Sequence, residues 1–132
     1  MPRFHDWPER LIVYLREREN RVFDWGKGAH DCCSFANGWV IRATGIDAMA
    51  DIPDYADAGE ADAILTTPLA DLMDARFERR AAPALAQRGD IGLAEIDGTP
   101  SLLIVTGAEI VGPGRRKLTR LPREMMQIAW AV

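Results

Sequence analysis

The sequence predicts an α+β fold, with N-terminal helices packed on a C-terminal antiparallel sheet. Two observations carry that expectation and a third bounds it. Apolar residues recur at helical spacing through the first part of the chain. After Pro83 the texture changes to short apolar segments separated by Gly-Asp, Asp-Gly, Thr-Gly and Gly-Pro-Gly. The 132 residues suffice for one hydrophobic core and show neither repeat nor low-complexity linker, so a single domain over 1–132 is expected.

Taken in order, Asp6 followed by Glu9 resembles a capping box, and Leu11, Tyr14, Leu15 and Val22 continue at roughly helical spacing. A first helix over about residues 7–19 follows. Gly26 and Gly28 then mark a turn. From Asp31, the set Phe35, Ala36, Trp39, Val40 and Ala43 shares one helical face, with Gly45 placed as the C′ terminator. This second helix, about residues 31–44, should be central, with Trp39 buried against the sheet. Gly38 inside it costs about 1 kcal/mol relative to alanine, a cost that close backbone packing would explain. "DIPDYADAG", residues 51–59, reads as a loop, and "EADAILTT" and "PLADLMDAR" as two short helices split by Pro68. "GDIGLAEI", "SLLIVTG", "AEIVG" and "MQIAWAV" are the expected strands, with Asp90 suited to a turn.

Composition narrows the function classes. A net charge of −4 argues against wholesale attraction to nucleic acid or an anionic membrane. No apolar run approaches the roughly 20 residues of a membrane span, and "MPRFHDWPER" lacks the apolar core of a signal peptide. The chain is therefore expected to be cytoplasmic when synthesised, without membrane insertion. The stretch "GRRKLTRLPR", residues 114–123, holds five basic residues and no acid. It reads as a solvated strand and turn, or as a docking patch for an acidic partner.

Chemistry concentrates in "DWGKGAHDCCSFANGW", residues 24–39, which holds both cysteines. Consecutive Cα atoms lie about 3.8 Å apart, closer than the usual disulfide range of roughly 4.4–6.8 Å, so the pair is no ordinary staple. His30, Asp31, Cys32 and Cys33 are contiguous, unlike zinc ligands drawn as pairs from separate segments. Neither metal nor cofactor is expected. Asp31 suits an N-cap. Cys32, in the first helical turn, meets free backbone N–H groups and the positive end of the helix dipole, which favour a thiolate. It also shares the face of Phe35, Ala36, Trp39 and Ala43. The alternative is a small buried apolar residue. Cys33 points about 100° away, toward Asn37 and Val40. His30 either satisfies a backbone carbonyl or packs against Trp25, or it lies over the thiolate as a base. His5, before the first helix, should be exposed.

"WGKGAHDCCSFANGW" resembles the nucleophile motif of NlpC-type cysteine peptidases, papain-like enzymes that cleave peptidoglycan stem peptides. Trp25, Gly26, Asp31, Cys32 and Phe35 match it, and Gly89-Asp90 resembles the family's Gly-Asp at the start of the first strand. "TGIDAMADIPDY" and the terminal "AWAV" resemble a small subgroup encoded by phages and prophages, typically among tail genes. The resemblance implies a papain-like fold with Cys32 at the nucleophile position. It also implies a base from a histidine opening the strand after Gly-Asp. In "SLLIVTG" that position is Ser101, and no histidine follows residue 30. The third, orienting residue would fall near Val111 or Gly112, which offer no polar side chain.

Three functions remain open at this level. One is a non-catalytic or weakly catalytic NlpC-like domain serving phage or prophage tails, with tail proteins as partners and a virion-tail location. The second is an active amidase or peptidase on peptidoglycan peptide, with His30 or a partner's histidine as base. The third is an unrelated intracellular binding or redox-sensing module.

Overall fold

A computed structural model describes residues 2–132. Among these, four α-helices precede a five-stranded antiparallel sheet: α1 (Trp7–Arg18), α2 (Cys32–Thr44), α3 (Ala58–Ile64), α4 (Leu69–Asp74), β1 (Ile91–Ile96), β2 (Thr99–Val105), β3 (Glu109–Pro113), β4 (Leu118–Pro122) and β5 (Ile128–Trp130). Strand order is β4-β3-β2-β1-β5. The α+β class read from the sequence holds. Among the described residues no helix is long and apolar enough to cross a membrane.

α2 is the organising element because its sheet-facing side is apolar without interruption. Phe35, Trp39 and Ala43 pack with Leu11 and Tyr14 of α1 and with Ile104, Val111 and Leu118 of the sheet. Ala36 and Val40 join Ile91, Leu93, Leu102 and Trp130 in an adjoining cluster. Burying side chains of this size stabilises by about 1.5–3 kcal/mol each. The period of two along β2 sends Leu102 and Ile104 to the helices, and Leu103 and Val105 to a third cluster on the far face with Ile110 and Met126. Trp39, fully buried, donates its indole N–H to the Gly89 carbonyl at 2.8 Å, which pins α2 to the entry of β1.

Several local expectations are refined. Asp6 precedes α1 without capping it. Its carboxylate accepts instead from Arg10 Nε at 2.7 Å, one turn on, so the side-chain ion pair displaces the capping box. Val22 lies outside the helix and is exposed. Gly38 is explained by contact: a Cβ there would collide with the Tyr14 hydroxyl, which donates to the Phe35 carbonyl at 2.6 Å. Gly45 caps α2 at φ 77°, a left-handed conformation that favours glycine. α3 starts earlier than its apolar pattern because Asp57 caps it through Glu60 N–H. The basic stretch forms β4, whose Arg120 makes a two-pronged pair with Glu19 at 2.8 and 3.0 Å. Asp90 does more than form a turn. Fully buried, it accepts from Gln87 N–H and Val132 N–H and pairs with Arg3 and Arg80. A buried carboxylate needs such partners to offset its desolvation.

Candidate functional site

The cysteine pair is positioned by a hydrogen-bonded loop that closes on itself. Asp24 and His30 exchange backbone bonds at 3.2 and 3.1 Å, and Gly26 and Gly28 supply the positive φ values, 145° and 83°, that the tight return requires. Asp31 caps α2, as expected: Oδ1 accepts from Ser34 N–H at 2.8 Å. Its other oxygen accepts from Gly26 N–H at 3.2 Å and from the Tyr55 hydroxyl at 2.8 Å. Ser34 Oγ donates to the Gly26 carbonyl and accepts from Gly28 N–H. Turn, cap and the 49–55 segment are thereby locked together around the first turn of α2.

Cys32 is half-buried and opens on a small cleft of about 100 Å³ between that turn and the sheet. Phe23 and Trp25 form one wall; Ile96, Ser101, Leu102 and Gly112 lie across it. The aromatic wall is an edge-to-face pair with centroids 5.0 Å apart. It is held to the sheet by Phe23 N–H on the Gly114 carbonyl at 3.1 Å. The thiol pKa of Cys32 is lowered, first by a hydrogen bond from the Cys33 thiol and then by the Leu102 backbone amide, against the opposing effect of burial. Pairing of β2 with β3 ends at Ile104↔Val111, so Leu102 lies beyond that ladder. Cys33 is buried, and its pKa is driven far up by its bond to Cys32 and by burial. Of the two thiols, the shifts favour the thiolate at Cys32.

Ser101 lies across the same cleft, as its place in the sequence pattern implies, although it is the third residue of β2 rather than the first. Its hydroxyl donates to the Thr99 carbonyl at 3.2 Å. Val111 is buried beneath α2, whereas Gly112 lines the cleft. A Cβ on Gly112 would lie 3.2 Å from the Leu102 carbonyl oxygen, so a side chain there demands backbone adjustment.

His30 goes elsewhere. Its ring is fully buried, edge-on to Phe35 with centroids 5.8 Å apart, and does not line the Cys32 cleft. Arg18 donates toward Nδ1 at 3.4 Å, which places the ring proton on Nε2. That atom has no partner among the described residues. Burial, followed by the charges of Arg21 and Arg18, pushes the His30 pKa down to about 4, so the imidazole is neutral at pH 7. Neither the carbonyl contact nor the Trp25 packing anticipated for its ring is what occupies it. His5 is exposed.

Tyr55, Phe23 and the Leu102 amide belong to the site and escaped the sequence reading. Tyr55 meets Asp31 from 24 positions away, and "DIPDY" carries no local mark of that contact. Among the described residues no three His, Cys, Asp or Glu side chains are grouped to hold a metal ion. The family described as "Domain of unknown function (DUF6950)" matches residues 2–132, and the chain belongs to it. No curated protein matches the sequence.

Proposed function

We propose that this member of the family is an NlpC-like domain of papain-like fold, associated with phage or prophage tails, that keeps the nucleophile's place without its base. One observation carries the reading: among the described residues, Cys32 is the only ionisable side chain lining its cleft. Amide hydrolysis needs more than a thiolate. A proton donor must reach the leaving amine, and a base must then activate water, roles that a histidine near neutral pKa fills. The Ser101 hydroxyl does not titrate in that range and is engaged with the Thr99 carbonyl. His30 is buried beside Arg18 and Phe35 and does not border the cleft. The domain therefore serves as a binding or assembly element, with peptidoglycan peptide or neighbouring tail proteins as its partners. It is made in the cytoplasm and carried in the virion tail.

A second reading, an active amidase or peptidase on stem peptides, is favoured by the lowered Cys32 pKa, which enlarges the thiolate fraction at neutral pH. Release of stem-peptide fragments from purified cell wall separates the two, with Cys32→Ala as control. The wild-type chain should release nothing above background. Ser101→His should recover a small, Cys32-dependent rate, kept small by the absence of an orienting group at Gly112. Cys32-dependent cleavage by the wild type would overturn the non-catalytic reading, and its loss in His30→Ala would make His30 the base. Mass spectrometry of purified tails from the source phage or induced prophage should find this chain there.

A further inference from the structure

On the side of α2 away from the Cys32 cleft lies a larger cavity of about 190 Å³, and the two share no lining residue. Cys33, Ser34, Asn37 and Ile41 form its floor, successive residues along the outer face of α2. The segment carrying Met49, Ile52 and Tyr55, together with Leu65, closes the opposite wall. Its size is below the roughly 300–1,000 Å³ typical of drug-sized ligand sites and suits a ligand of a few carbons, and its exposed lining is more apolar than polar.

Two cations reach this apolar space. Arg18 is half-buried, and no carboxylate among the described residues pairs with it. The Ala29 carbonyl, at 3.1 Å, and His30 Nδ1, at 3.4 Å, hold one of its terminal nitrogens in place. Lys27 donates to the Ile52 carbonyl, and its nearest acid, Asp54, stands 3.9 Å away with its side chain 97% exposed. A pair so open to water neutralises little of the lysine charge. The nearby acids are already engaged. Asp31 holds the α2 cap and Tyr55, Asp47 accepts from Asn37, and Glu17 pairs with Arg42. A chain of net charge −4 thus keeps an uncompensated positive corner beside an aliphatic wall.

We propose that this cavity binds an aliphatic carboxylate, with its anionic group on Arg18 and Lys27 and its hydrocarbon against Ile41, Met49, Ile52 and Leu65. A half-buried guanidinium binds carboxylate strongly through charge-assisted hydrogen bonds. The aliphatic wall supplies the remaining affinity and excludes small hydrated anions. Both a free branched acid and the C-terminal residue of a peptide present this chemistry. His30 acts here as a positioning residue, since only the neutral ring accepts from Arg18.

The test is an NMR titration of the full chain with 4-methylpentanoate, N-acetyl-leucine and the uncharged N-acetyl-leucinamide. Both acids should shift the Ile41 and Ile52 methyl signals saturably and bind at least about tenfold more tightly than the amide. Arg18→Gln should erase that preference. Ile41→Trp, at a position 40% exposed and therefore tolerant of size, should block both acids without unfolding the chain. Tighter binding of N-acetyl-leucine assigns the site to peptide C-termini, and tighter binding of 4-methylpentanoate to free acids; either supports it. Absence of saturable shifts with both acids, equal binding of the amide by the wild type, or shifts confined to Trp25 and Ser101 would overturn it. Should Arg18→Gln fail to fold, the amide comparison and Ile41→Trp still decide.

Discussion

Cys32 and Cys33 are neighbours in sequence, yet they face spaces of opposite character. Cys32 opens on a cleft with an aromatic wall and a favoured thiolate, and no second ionisable side chain lines it among the described residues. Cys33 opens on an aliphatic cavity with two cations and a thiol held firmly protonated. The roughly 100° between successive helical residues accounts for the divergence in direction. Their mutual hydrogen bond accounts first for the divergence in chemistry, joined by the Leu102 amide of β2 on the Cys32 side and by burial on the Cys33 side. Two adjacent thiols of the same intrinsic pKa thus become one thiolate former and one wall residue. Assignment of a cysteine's role from its residue type alone would miss this.

The contrast depends on α2 staying fixed between its two neighbours, and Trp39 is the fixing point. Trp39→Ala should lower stability by about 3–5 kcal/mol, the usual cost of deleting a fully buried large aromatic, with the Gly89 carbonyl left unpaired as well. Chemical denaturation measures it. A loss below about 1 kcal/mol would mean that the sheet does not hold the helix, and both clefts would lose their definition.

A pH titration of stability probes the Cys33 side alone. His30 has its folded pKa pushed down to about 4 from an ordinary value of 6.5. The unfolded chain therefore binds the proton more readily, and the neutral buried ring contributes stability that is complete above about pH 6.5. That contribution falls as pH drops toward about 4, where it is lost. Each tenfold difference in proton affinity is worth about 1.36 kcal/mol, so up to about 3 kcal/mol is at stake. Denaturant midpoints between pH 7 and pH 4 should fall more steeply for the wild type than for His30→Phe. Parallel curves would place His30 in a more open environment than the Arg18 and Phe35 contacts provide.

The smallest perturbation sharpens the comparison most directly. Brief treatment of the native protein with iodoacetamide at neutral pH should alkylate Cys32 well ahead of Cys33, as peptide mapping would show, because only the thiolate reacts. Equal labelling, or preference for Cys33, would remove the distinction between the two sides.

Much of this was legible in the residues themselves. The α2 stripe, its Asp31 cap and its Gly45 terminator depend on near neighbours, so spacing alone places them. Trp39 burial follows from the same stripe, and the turn-punctuated segments after Pro83 announce the sheet. β4 was legible only as a basic strand, since its pairing with β3 and its Arg120 clasp on Glu19 depend on tertiary contacts, the clasp joining residues 101 positions apart. The capping box at Asp6 failed for a local reason of another kind, because Arg10 competes for the same carboxylate.

The sequence by itself determined the α+β class, the central helix and the placing of two thiols at its positive end, because periodicity and capping act over a few residues. Tertiary structure alone decided what each thiol meets. The Leu102 amide, the Tyr55 hydroxyl, the Arg18 guanidinium and the burial of His30 all come from segments brought together by packing. Hydrogen bonds, charges and desolvation act through space, and their distances are set by how helix and sheet close on one another.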